Sequence, residues 1–208
     1  MTQKLLNETV WGLVEKVLKQ NAKCGLKCAI SILAGGLSTR MGRDKAHLRL
    51  GSKTLLEHIR REARSLGLPV RIIRRDLVPR CGPLGGIYTA LKTSRTEAEL
   101  FLACDMPFVS AALLDRTLLE FDNSAPRPIF TVSRNVAGFP FLLPVRSLAA
   151  VEKQILKKQF SLQSLARRLK ARLLHPPLEH KDELFNVNTL ADWQSARQRL
   201  VATKAAPS

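Results

Sequence analysis

The sequence is poor in acid. Against 34 Lys and Arg it sets 17 Asp and Glu, a formal net charge of +17 over 208 residues. That excess implies anionic company: nucleotides, a phosphorylated pterin, acidic proteins or nucleic acid. Aromatic residues are also scarce, at 5%, and none interleaves with the basic pairs Arg60-Arg61, Arg74-Arg75, Lys157-Lys158 and Arg167-Arg168. Without such platforms for bases, specific nucleic-acid binding is not expected.

No apolar run approaches a membrane span, and the first twenty residues are polar and mixed in charge. The expectation is a cytoplasmic protein that contacts no membrane. Cys24, Cys28, Cys81 and Cys104, with four scattered histidines, lack zinc-type spacing, so the cysteines read as reduced, with Cys28 a small buried hydrophobe.

What is present is a glycine-rich loop in a telling place. The apolar run at 28–33 leads straight into Ala34-Gly35-Gly36, then Arg40, Asp44 and Lys45. A buried strand holds such a loop rigid, and glycines let backbone N–H groups approach phosphate oxygens with no Cβ in the way. Arg40 and Lys45 add positive charge, which a merely structural turn does not need. Neither the Walker spacing nor GxGxxG fits, since Gly36 is followed by Leu-Ser-Thr-Arg.

Downstream, strand-like and helix-like segments alternate. Strands are expected over 28–33, 69–74, 100–103, 129–132, 139–145 and 172–174, and helices over 54–66, from 84, 110–120, 147–159, 161–170 and 189–201. That order implies a three-layer α/β fold, a mostly parallel sheet with helices on both faces, binding ligands beyond the carboxyl ends of its strands. The expected organisation is an amphipathic helical extension at 1–27, one domain at 28–201, and a frayed tail at 202–208.

The run at 33–45 resembles the signature of nucleotidyltransferases that activate a small phosphorylated acceptor. Three later stretches narrow the likeness: GPLGGI at 82–87, CDMPF at 104–108, and NVNT at 186–189 with Asp192 beyond. Together they are similar to the molybdenum cofactor guanylyltransferases, of nucleotide-diphospho-sugar-transferase-like fold. The resemblance implies that GTP donates GMP to the terminal phosphate of the molybdopterin cofactor, with partners among cofactor-biosynthesis proteins or apo-molybdoenzymes. It implies backbone contacts to the nucleotide from Leu33, Ala34, Gly35 and Gly36, phosphate binding by Lys45, and leaving-group neutralisation by Arg40. By the same likeness Asp76 reads the base, Gly82 and Gly85 pass close to the nucleotide, Asp105 holds magnesium (Mg2+), and Asn186 and Asn188 face the acceptor.

The chain departs from that family between Leu66 and Asp76. Twelve residues, SLGLPVRIIRRD, stand where the family has a further strand and helix, including an Asn that reads the base. Two other readings therefore stay open: a cytidylyltransferase of the same cofactor, and a non-catalytic module that binds nucleotide or delivers cofactor.

Overall fold

Six consecutive buried residues, CAISIL, form β1 (Cys28–Leu33), and a strand covered on both faces is the natural outcome of so continuous an apolar run. The structure, a computed structural model, describes residues 27–35, 47–121 and 126–205. The expected N-terminal helix, Cys24, Gly36, Arg40, Asp44 and Lys45 lie outside the described residues.

After β1 come a small antiparallel hairpin, β2 (Arg49–Leu50) and β3 (Lys53–Thr54), and helix α1 (Leu55–Ser65). Thr54 and Glu57 start α1 with a reciprocal capping box. The chain returns as β4 (Val70–Ile73), enters α2 (Pro83–Lys92), and crosses to β5 (Ala98–Ala103) and α3 (Ala111–Leu119), which Ser110 caps. The hairpin β6 (Ile129–Ser133) and β7 (Val136–Pro144) precedes α4 (Leu148–Leu156) and α5 (Leu162–Arg168). Finally β8 (Arg172–Leu174) leads through a 3-10 segment (Leu178–Leu184) to α6 (Leu190–Ala205).

The six-stranded sheet has the order β4-β1-β5-β7-β6-β8. β4, β1 and β5 run parallel, β7 runs against both β5 and β6, and β8 is parallel to β6. The sheet is thus mostly parallel, as expected, with β7 reversed. Successive residues of β5 serve opposite faces. Leu100 and Leu102 pack with α1 and α3, whereas Phe101 packs with α2, α4 and α5. On that second face Phe101, Phe141 and Phe130 stack across three strands, with ring centroids 4.9 and 4.6 Å apart.

The segment between Leu66 and Asp76 holds a single strand, β4, which pairs with β1 and ends the sheet. The strand expected over 69–74 is therefore present, and among the described residues nothing pairs beyond it. A buried polar knot fixes it. Glu99, fully buried on β5, accepts from Ser31 Oγ at 2.8 Å, Ser94 Oγ at 2.6 Å and Arg71 Nη2 of β4 at 2.6 Å.

Three helix ends differ most from expectation. Helix α4 stops at Leu156 and α5 at Arg168, because Lys158 and Lys170 take left-handed conformations, φ 54° and 49°. Helix α6 runs on to Ala205, so four residues of the expected tail are helical; the sequence there, Ala-Thr-Lys-Ala, contains no breaker.

Candidate active site

Three backbone hydrogen bonds tie the strand ends together along the carboxyl edge of the sheet. The Ala34 N–H donates to the Ile73 carbonyl at 2.9 Å, Cys104 N–H to Leu33 at 3.2 Å, and Val187 N–H to Asp105 at 2.8 Å. Residues from four distant parts of the chain thereby form one continuous rim.

On one side of the rim the glycines collect. A Cβ at Gly35 would lie 2.8 Å from the Arg74 carbonyl oxygen, and one at Gly85 would lie 2.6 Å from Asp76 Oδ2 and 2.7 Å from the Val78 oxygen. Neither position accepts a side chain without moving backbone. Gly82, the residue before α2, has φ 55° and ψ −141°, a conformation open in practice to glycine alone. Asp76 is half-buried among Gly35, Gly85 and Gly86, and burial pushes its carboxyl above the usual range. The neighbouring Cys81 thiol is raised as well, by burial first and by the Asp76 charge second, so it behaves as an inert hydrophobe.

The structure thus brings Leu33, Ala34, Gly35, Asp76, Gly82 and Gly85 together. It also narrows the backbone role expected of them. The Ala34 N–H is already engaged by β4, while the Gly35 N–H meets no acceptor among the described residues. Arg74, whose backbone carbonyl faces Gly35, and Arg75 stand exposed just beyond β4.

Across the rim lie Asp105 and the asparagine turn. Asp105 stands two residues beyond the end of β5 and is half-buried. Val187, fully buried, belongs to a small satellite core with Leu50, Leu55 and Ala196, against which Phe108, Phe185 and Trp193 pack. The Trp193 indole N–H donates to the Arg49 carbonyl at 2.9 Å, fastening α6 to the β2–β3 hairpin. Asp192 Oδ2 accepts from the N–H groups of Asn188 and Thr189 at 3.0 and 2.8 Å, and Thr189 Oγ1 accepts from the Asp192 N–H at 3.1 Å. This capping box fixes the turn, so Asn186 and Asn188 arrive beside Asp105 with little freedom.

Both asparagines line a pocket of 470 Å³ that begins at Met106, next to Asp105, and is walled by the β6–β7 hairpin and α6. The hairpin residues were missed in the sequence reading. They carry no motif, and Gly138 sits where a short apolar segment gives no site signal.

Among the described residues no three acidic, His or Cys side chains cluster. Mg2+ needs no such cage: it keeps several waters and takes one or two carboxylates together with substrate phosphates. Asp105, a hard oxygen donor beside two amide side chains, fits that pattern.

Backbone-bound glycines around one carboxylate, facing a second carboxylate across the ends of parallel strands, place the chain among the nucleotidyltransferases. The sequence profile of the MobA-like NTP transferase domain matches residues 30–173, and the chain belongs to that family. It is 31% identical over 194 residues to a probable molybdenum cofactor guanylyltransferase of Opitutus terrae, covering 81% of this chain and 94% of that one. A protein of the same name from Carboxydothermus hydrogenoformans is 27% identical over 183 residues, 79% and 92% of the two chains. Among solved structures, molybdopterin-guanine dinucleotide biosynthesis protein A of Archaeoglobus fulgidus shares the fold. Its TM-score is 0.65 at 20% identity, over 84% of this chain and 99% of that one.

Proposed function

We propose that this chain transfers a guanylyl group from GTP to the terminal phosphate of molybdopterin, releasing pyrophosphate. The observation that carries the reading is the Val187–Asp105 hydrogen bond at 2.8 Å. It sets a carboxylate and an asparagine turn across the rim from the glycines around Asp76, so donor and acceptor have separate places on either side of one charge. The relatives' names supply the acceptor's identity.

In the reaction an oxygen of the acceptor phosphate attacks the α-phosphorus of GTP. A new P–O bond forms as the bond to the bridging oxygen breaks, and pyrophosphate leaves with that electron pair. Such transfer rests on positioning and charge neutralisation rather than on a protein nucleophile. Gly35 offers its N–H to the nucleotide, and Asp105 holds Mg2+, which neutralises phosphate charge when bound. Lys45 grips the phosphates and Arg40 meets the departing pyrophosphate. Asn186 and Asn188 orient the acceptor.

Guanine is favoured over cytosine by the chemistry of Asp76. An ionised carboxylate only accepts, and guanine presents two adjacent N–H donors on one edge where cytosine presents one amino group. Asp76, with no hydrogen bond to any described residue, has both oxygens for that edge.

Pyrophosphate release with GTP or CTP, in the presence of molybdopterin and Mg2+, tests the proposal. Release with GTP supports it. Release with CTP alone makes the chain a cytidylyltransferase, and binding of molybdopterin without release in either case makes it a delivery module. We place the reaction in the cytoplasm, with an apo-molybdoenzyme as the taker of the product; among the described residues no helix is long and apolar enough to cross a membrane.

A further inference from the structure

The β6–β7 hairpin turns through Arg134 and Asn135, with Ser133 paired to Val136. Both tip residues have left-handed backbones, φ 49° and 63°. This two-residue turn normally takes Asn, Asp or Gly, because a longer side chain strains the conformation. An arginine there is a local cost, and this arginine lines the 470 Å³ pocket.

Further along β7, Gly138 lines the same pocket, and a Cβ built on it would meet no atom within 4 Å. It lies in β7 beside a bulge in the pairing with β6, but its φ is outside the left-handed region, so conformation does not demand a glycine. The missing side chain leaves open space. Gly35 and Gly85 differ in kind, since protein atoms fill the places their side chains would take. The opposite wall carries Phe185, with the Arg199 guanidinium 4.3 Å from its ring centroid.

We propose that the β6–β7 hairpin is the acceptor-recognition element, with Gly138 leaving room for a fused heteroaromatic ring and Arg134 binding the acceptor's anionic group. The assignment rests on the transfer reading above for the identity of the acceptor. The pocket's volume suits a ligand of this size and exceeds what one phosphate needs. Its mixed lining, Phe139 and Phe185 with Asn186, Asn188, two arginines and two aspartates, suits a ring that is apolar on its faces and polar at its edges. Asp182 pairs with Arg199 at 3.2 Å, leaving Arg134 for the anionic group.

The test is equilibrium binding of molybdopterin to the full chain, read by pterin fluorescence, with GTP binding measured in parallel. Gly138→Leu is expected to weaken molybdopterin binding about tenfold or more while GTP affinity stays within about twofold. Arg134→Ala is expected to weaken it about fivefold, with Arg134→Lys recovering most of the loss. Should the leucine variant fail to fold, the tip substitutions decide, since Arg134 is exposed. Molybdopterin affinity unchanged in the folded Gly138→Leu variant, or in Arg134→Ala, overturns the proposal. So does a wild-type protein that binds no molybdopterin. Hairpin-dependent binding in a protein that transfers neither GMP nor CMP discards the transfer reaction and leaves the pocket assignment standing.

Discussion

Val187 donates its backbone N–H to the carbonyl of Asp105 across 2.8 Å, joining residues 82 positions apart at the carboxyl edge of the sheet. Because Val187 is fully buried, the satellite core under α6 sets the position of the asparagine turn. Packing there and chemistry at Asp105 are therefore coupled.

Asp76 is expected to act on the donor alone. Asp76→Asn replaces one acceptor oxygen by a donor facing the guanine edge, so KM for GTP should rise about tenfold or more with kcat largely kept. Steady-state kinetics with GTP varied at saturating molybdopterin checks this, and an unchanged KM would remove Asp76 from base recognition.

Gly85→Ala should damage the same side by a steric route. The new Cβ would overlap Asp76 Oδ2 at 2.6 Å and the Val78 carbonyl at 2.7 Å, so the start of α2 must shift. A loss of about 1–3 kcal/mol in stability is expected, together with weaker GTP binding. Gly138→Ala is the control: its Cβ meets nothing within 4 Å, and denaturant unfolding should scarcely change.

The edge strand depends on an ion pair. Arg71→Ala would leave the fully buried Glu99 carboxylate with hydroxyl partners only, a loss of about 3 kcal/mol or more. Glu99→Gln should cost less, because Arg71 is 31% exposed and can turn to water. Calorimetry of both variants checks the order, and the reverse order would contradict it.

Asp115 on α3 has a buried Oδ1 with no partner among the described residues, and burial raises its pKa to about 6. A carboxyl that holds its proton more tightly when folded subtracts stability once ionised. The penalty is full above about pH 6 and fades as the pH falls toward the unfolded value near 4. Asp115→Asn should therefore stabilise by about 1 kcal/mol near pH 8, the carboxyl retaining some hydration, and by nothing near pH 4. Melting temperatures of variant and wild type across that range decide the matter.

Much of the fold was legible because each strand–helix unit carries its own signals. LFLA at 100–103 is a continuous apolar run, and CAISIL is one broken only by Ser31; Thr54 with Glu57 and Ser110 are recognisable caps, and Gly82-Pro83 opens a helix. The reversal of β7 was not legible: order along the chain does not say where a strand inserts. Its first residues, Val136-Ala137-Gly138, were missed because a glycine in so short a segment does not read as strand. On the donor side, Gly35, Asp76, Gly82 and Gly85 belong to short local motifs. The acceptor pocket draws on residues from 106 to 199, so only the folded chain assembles it.

The most direct measurement of the central claim is molybdopterin-dependent release of pyrophosphate from GTP by wild type and by Asp105→Asn, with and without Mg2+. Release by the wild type is expected to stop when the metal is chelated, and release by the variant, still folded, to fall about a hundredfold or more. An Asp105→Asn protein that releases pyrophosphate at the wild-type rate would contradict it.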